Sequence, residues 1–260
     1  MVEQFDDGRH WRAKLGFIVL ANEETVEDDI FTLRPPGVGV HISRVHSADE
    51  IRPDVIERMR DDLRHSAELL LPGDRLDVIC FTCSGGTMAM GEDVACKAIS
   101  EAKPDVRATT VIGASVRALK HIGAKKISVL TPYPAFLDAE TKKYLGAADF
   151  EILSYDSLRY ETNSQIVNTS PEFLYERVVE NIHFESDAIF ICCGALRSLE
   201  IIARLERRLG LPVIASNQAM MWDALRLSGV EAKLTGFGKL LGRLCLPKTQ
   251  SEGFARRRRL

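Results

Sequence analysis

The feature that most limits what this chain can fold into is an internal repeat. The stretch "DVICFTCSGG" at 77–86 is echoed by "DAIFICCGAL" at 187–196. Asp77 aligns with Asp187, Ile79 with Ile189 and Cys83 with Cys193, each at an offset of 110 residues. The same offset joins Val19 and Leu20 of "FIVLANE" to Val129 and Leu130 of "SVLTPY". Two copies of one build predict two similar lobes, each with one cysteine at one place.

Short runs rich in Val and Ile alternate with longer amphipathic segments, the pattern of helices packed around parallel sheets. Strands are predicted at 15–20, 38–43, 78–82 and 109–112, then at 127–130, 151–155, 188–192 and 212–215. A helix is predicted over 53–71, with Val55, Ile56, Met59, Leu63 and Leu70 near the helical period and Pro53 at its start. A second is predicted over 198–210, with Leu199, Ile202, Leu205 and Leu209 on one stripe and Gly210 closing it before Pro212. The expected fold is α/β: two similar Rossmann-like, flavodoxin-like lobes with parallel sheets. The helix starting near Ala215 should return the chain to the first half. That places lobe one at 1–113 plus 216–260 and lobe two at 114–215. A cleft between the carboxyl ends of the two sets of strands is where such sheets bind ligands, and both cysteines lie at such ends.

The net charge of −3 over 260 residues provides no general attraction to nucleic acid or membrane. The four arginines at 256–259 read as a solvated tail. No apolar run approaches the ~20 residues of a membrane span. The first residues carry charges of both signs rather than the apolar core of a signal peptide. A cytoplasmic location is expected, where thiols stay reduced, so the six cysteines are not read as disulfides. The six histidines show no metal spacing, and there is no phosphate-binding loop or dinucleotide fingerprint. Cys80 and Cys83 spell C-x-x-C, but zinc would need two more spaced ligands. A redox pair would need the motif at a helix start, whereas Cys80 falls inside a strand. Cys80 and Cys192 are expected in the core, and Cys96 and Cys245 carry no signal.

Cys83 runs into "SGGTMAMGED", small residues suited to opening a helix. Free backbone N–H groups at Ser84, Gly85 and Gly86 would bind an anion, and the positive helix end would favour thiolate. Cys193 with Gly194 offers the same arrangement, leading into the helix predicted from Ser198. A carbon held between two thiols can lose a proton to one and gain a proton from the other, or one thiolate can add covalently while the other handles protons. Neither route needs a cofactor or a metal.

These residues resemble the aspartate/glutamate racemase superfamily, in its branch of maleate cis–trans isomerase and arylmalonate decarboxylase, nearest the ectoine-utilisation protein A group. The resemblance spans about 14–240. "CSGGT" at 83–87 is similar to the branch's cysteine turn, and "TPY" at 131–133 to a motif whose tyrosine, here Tyr133, holds a substrate carboxylate. "TNSQI" at 162–166 resembles a segment supplying a substrate-binding asparagine, here Asn163, and "CGALR" at 193–197 the second cysteine. The resemblance implies a small dicarboxylate held between Cys83 as nucleophile and Cys193 as proton carrier, with a homo-oligomer, dimer or tetramer, as the family habit. Decarboxylases of the branch keep only the second-lobe cysteine.

Two departures stand out. "LANEET" places Glu23 beside Asn22 where the branch has asparagine, and Gly194–Ala195 replace a Thr-Asn pair. A carboxylate at Glu23 would repel a dicarboxylate unless protonated or paired, or would meet a substrate ammonium. At the same offset of 110, Glu23 is the repeat-mate of Tyr133 and should face the cleft. The expected function is a two-cysteine, cofactor-independent isomerase of maleate type. The alternatives are a racemase or epimerase of an aspartate-like amino acid, an arylmalonate-type decarboxylase, a carboxylate-binding protein on the same fold, and a redox protein using Cys80 and Cys83.

Overall fold

The computed structural model describes residue 6 and residues 8–242; Cys245 and the arginines at 256–259 lie outside the described residues. The first half runs β1 (Ala13–Leu20), α1 (Val26–Leu33), β2 (Val38–Val45), α2 (Pro53–Glu68), β3 (Val78–Phe81), α3 (Ser84–Met90), α4 (Glu92–Ala102), β4 (Arg107–Thr110) and α5 (Val111–His121). The second runs β5 (Lys126–Thr131), α6 (Ala135–Ala147), β6 (Glu151–Ser157), α7 (Asn163–Val167), α8 (Pro171–Asn181), β7 (Ala188–Ile191), α9 (Ile202–Leu209) and β8 (Val213–Ala215), followed by α10 (Ser216–Leu227) and α11 (Gly238–Gly242). Two parallel sheets result, ordered β2-β1-β3-β4 and β6-β5-β7-β8. This is the two-lobed α/β fold expected from the repeat. Helices cover both faces, so the central strands are apolar throughout rather than alternating; Leu15, Phe17, Ile18 and Val19 of β1 are all fully buried.

The repeat is real, but its spacing differs between strands. β3 and β7 keep the 110-residue offset, whereas Lys126 stands where Lys14 does, 112 positions on. Asp77 N–H donates to the Lys14 carbonyl and Asp187 N–H to that of Lys126, at 2.9 and 2.7 Å. Leu15 lies opposite Val78, and Ile127 opposite Ala188. The second lobe reaches its third strand by a connection two residues shorter. Glu23 is therefore not the structural mate of Tyr133. Both residues nevertheless line the cleft.

Three boundaries differ from expectation. Val111 and Ile112 open α5 instead of ending β4, because the Thr110 hydroxyl accepts the Gly113 N–H and caps a helix. α2 stops at Glu68, and Leu71 takes a positive φ of 43° before Pro72. α9 begins only at Ile202, so residues 198–201 form turns; Gly210 closes it in the left-handed conformation as expected.

α10 follows the last strand of the second sheet yet packs on α5, α1 and β3 of the first half. Asp223, fully buried on α10, accepts from Thr109 Oγ1 at 2.8 Å, Arg117 Nη2 at 2.9 Å and Arg226 Nη2 at 2.7 Å. Near its start, Asn217 Nδ2 donates to Asp29 Oδ2 of α1 at 2.8 Å. The halves meet again where Glu50 bridges Thr162 and the Asn163 N–H donates to the Asp49 carbonyl at 2.7 Å. Among the described residues no helix is long and apolar enough to cross a membrane.

Burial pushes Asp29 up from its ordinary 3.8 to about 7, against the hydrogen bond from Asn217. Between those two values the unfolded chain has released a proton that the folded chain keeps, so folding stability falls as pH rises from about 4 to about 7. Asp29→Asn should therefore be more stable than the parent above pH 7, by about 4 kcal/mol at most. Urea unfolding at a series of pH values should show that gain shrinking to nothing by about pH 4.

Candidate active site

The carboxyl ends of β1, β3 and β7 converge on one cavity of about 610 Å³, counting its open mouth. Asn22, Glu23, Cys83, Ser84, Gly85 and Gly86 line it from the first half. Tyr133, Asn163, Cys193 and Gly194 line it from the second. All ten residues singled out in the sequence thus line one cavity. The lining also has an apolar part, with Val55, Ile56 and Met59 of α2 and with Leu137 and Ile166.

Cys83 caps α3, its Sγ accepting the Gly86 N–H at 3.1 Å while Thr87 Oγ1 donates to its carbonyl at 2.7 Å. A Cβ at residue 86 would lie 3.1 Å from Cys83 Sγ, so any larger residue there would press on the thiol. The helix end does oppose thiol protonation, as expected, but burial outweighs it and Glu23 adds to the burial effect. The Cys83 thiol is pushed up to about 11. The hydroxyl of Ser84, the next residue, is buried.

Cys193 is held differently from the expectation of a second helix start. α9 begins nine residues later, and Cys193 sits at φ 120°, a region that costs a side-chain-bearing residue about 1–3 kcal/mol. Its N–H donates to Ser216 Oγ at 3.0 Å. Asn217 Nδ2 donates to the Gly194 carbonyl at 2.7 Å, and Thr25 Oγ1 to the Ala195 carbonyl at 3.0 Å. The Ala195 N–H favours the thiolate, but burial and then Glu23 push the Cys193 thiol up.

Glu23 Oε1 accepts three backbone N–H groups, from Glu24 at 3.2 Å, Thr25 at 2.9 Å and Val26 at 3.2 Å, and so caps the start of α1. Burial nevertheless raises its pKa. Asn22 donates to the Ala48 carbonyl at 3.1 Å and accepts from Ser47 Oγ. Asn163 Nδ2 donates to the Asn22 carbonyl at 3.0 Å, tying the two lobes across the cavity. Burial holds the Tyr133 phenol far above its ordinary value, and its oxygen lies 3.7 Å from Cys192 Sγ.

The sequence reading missed Ser216, Asn217 and Asp29. Cys80 and Cys192 are both fully buried core residues, as expected, and Cys192 also touches Tyr133 of the site. The signal that could have found Ser216 and Asn217 was their place directly after a strand whose carboxyl end points at the cleft.

Known proteins share this fold. Maleate isomerase of Alcaligenes faecalis is 26% identical over 211 residues, 77% of this chain and 82% of that protein. The crystal structure of a maleate isomerase from Pseudomonas putida superposes with a TM-score of 0.84 at 24% identity, over 90% of this chain and 99% of that one. A cysteine-to-serine variant of Nocardia farcinica maleate cis–trans isomerase, bearing a covalently bound succinylcysteine intermediate, has a TM-score of 0.82 at 22% identity, over 88% and 98% of the two chains. The pattern of the family described as arylmalonate decarboxylase matches residues 92–241, from α4 to α11 and through Cys193. With more than half its length so matched, this chain belongs to the arylmalonate decarboxylase family.

Proposed function

We propose that the protein is a two-cysteine isomerase of a small dicarboxylate, converting a maleate-type substrate between its cis and trans forms without a cofactor. The observation that carries this reading is the pair of thiols, Cys83 from one half and Cys193 from the other, on the wall of one cavity. Relatives named maleate isomerase, similar over most of the chain, support it. Cys83 is the nucleophile, since Gly86 N–H already points at its sulfur and would stabilise the thiolate. Its thiolate adds to one alkene carbon, and the π electrons pass to the other carbon and its carboxylate. Cys193 S–H protonates that carbon, giving a succinyl thioether joined by a single bond that rotates. The Cys193 thiolate then removes the proton, the C–S bond breaks, and the trans product leaves with Cys83 restored. The succinylcysteine of the Nocardia relative is the adduct this sequence forms. Ser84, Gly85, Gly194, Tyr133, Asn163 and Asn22 hold the carboxylates, and the two free thiols suit a reducing, cytoplasmic setting.

Glu23 decides how strictly this holds. Its raised pKa extends the range over which it is a neutral acid that does not repel a dicarboxylate. As a carboxylate it would instead meet a substrate ammonium, which favours a second reading: racemisation or epimerisation of an aspartate-like amino acid by the same thiols. Decarboxylation fits less well with both thiols on the cavity wall.

Proton NMR in heavy water should show maleate turning into fumarate, with Cys83→Ser and Cys193→Ser each slower by about a thousandfold or more. Deuterium entering the α-carbon of aspartate-type acids, with maleate untouched, would select the racemase reading. Saturable binding without either signal would leave a carboxylate binder. Glu23→Gln should keep the α1 cap, because the amide oxygen still accepts N–H groups, and should move the alkylation pH profiles of both cysteines to lower pH. With dicarboxylate substrates, the parent should lose kcat/KM as pH rises through the Glu23 titration, whereas the variant should lack that limb.

A further inference from the structure

We propose that Asn217, together with Ser216, is the positioning residue that holds Cys193 in its reactive pose. The inference rests on the reading of Cys193 as the proton carrier, and adds to it the structural reason that its thiol faces the cavity. A non-glycine residue at φ 120° persists only where its surroundings over-determine it. Here two consecutive side chains at the start of α10 do so. Ser216 Oγ takes the Cys193 N–H at 3.0 Å, and Asn217 Nδ2 holds the Gly194 carbonyl at 2.7 Å. Together they grip the backbone on both sides of the Cys193–Gly194 peptide link. Both residues are nearly fully buried, and neither lines the cavity, so they act through Cys193 and not on substrate.

Three details make the clamp rigid. Both partners of Asn217 Nδ2, the Gly194 carbonyl and Asp29 Oδ2, are acceptors, which determines the orientation of the amide. A Cβ at residue 194 would lie 2.7 Å from Asn217 Oδ1, so the amide packs directly on glycine. α10 itself is anchored on the first half through Asp223 and Arg117. The first half thereby holds the cysteine of the second. Cys83 is set by Gly86 within its own turn and serves as an internal reference.

The test is alkylation of the full-length protein by iodoacetamide across a pH series, with tandem mass spectrometry separating Cys193 from Cys192. In Asn217→Leu and in Ser216→Ala, Cys193 should react about tenfold more slowly or less, with its pH profile displaced upward, while Cys83 stays within about twofold of the parent. Maleate turnover should fall by about 100-fold with KM within about threefold. Thermal melts identify a variant that fails to fold, and Ser216→Ala, which removes only one hydroxyl, then carries the test. Parental alkylation of Cys193 in a folded variant would overturn the proposal, as would loss at Cys83 in step with Cys193. Alkylation needs no substrate. A parent inactive on maleate would count against the maleate reading while the clamp was still decided.

Discussion

A single buried carboxylate holds the two halves in the relation that creates the site. Asp223 on α10 is fully buried, and it is tolerable there because Thr109, Arg117 and Arg226 all donate to it. Removing a partner from such a buried charge costs about 3–5 kcal/mol. α10 leaves the last strand of the second sheet, and its partners Thr109 and Arg117 belong to β4 and α5 of the first half. The anchor therefore sets how the carboxyl ends of β3 and β7 face one another. The Asp29–Asn217 bond and the contacts from Asp49 and Glu50 to residues 162–164 complete the closure.

Within that frame the electrostatics of the cavity run opposite to those of a typical reactive thiol. Burial raises Cys83, Cys192, Cys193, Tyr133 and Glu23 together, and the charge of Glu23 raises both site cysteines further. A helix cap and backbone N–H groups work against this but do not overcome it. A cavity that resists negative charge disfavours the thiolate form of both sulfurs. The same dry surroundings strengthen every hydrogen bond made to a charge that forms during reaction.

Much of this was legible in the chain itself. The repeat of "DVICFTC" and "DAIFICC" announced two lobes with a cysteine each, and alternating apolar and amphipathic runs announced parallel sheets. Glycines after Cys83 announced a helix start, which α3 supplies. The failures have physical causes. Exact offsets misled at β1 and β5, because a connection can lose two residues without changing which face a strand residue takes. The stripe from Leu199 suggested a helix start at Ser198, but apolar spacing does not reveal that residues 198–201 form a turn, closed by the Ile201 N–H on the Ser198 carbonyl.

Sequence alone determined the class of fold, the pairing of the two cysteines and the small residues around them, because periodicity and turn chemistry are local properties of the chain. Tertiary structure decided the strained pose of Cys193, the clamp by Ser216 and Asn217, and the titration of every buried group. Each of those depends on residues far apart in the chain, Asp29 and Asn217 being 188 positions distant. Burial, which dominates the thiols, exists only once both halves have closed over them.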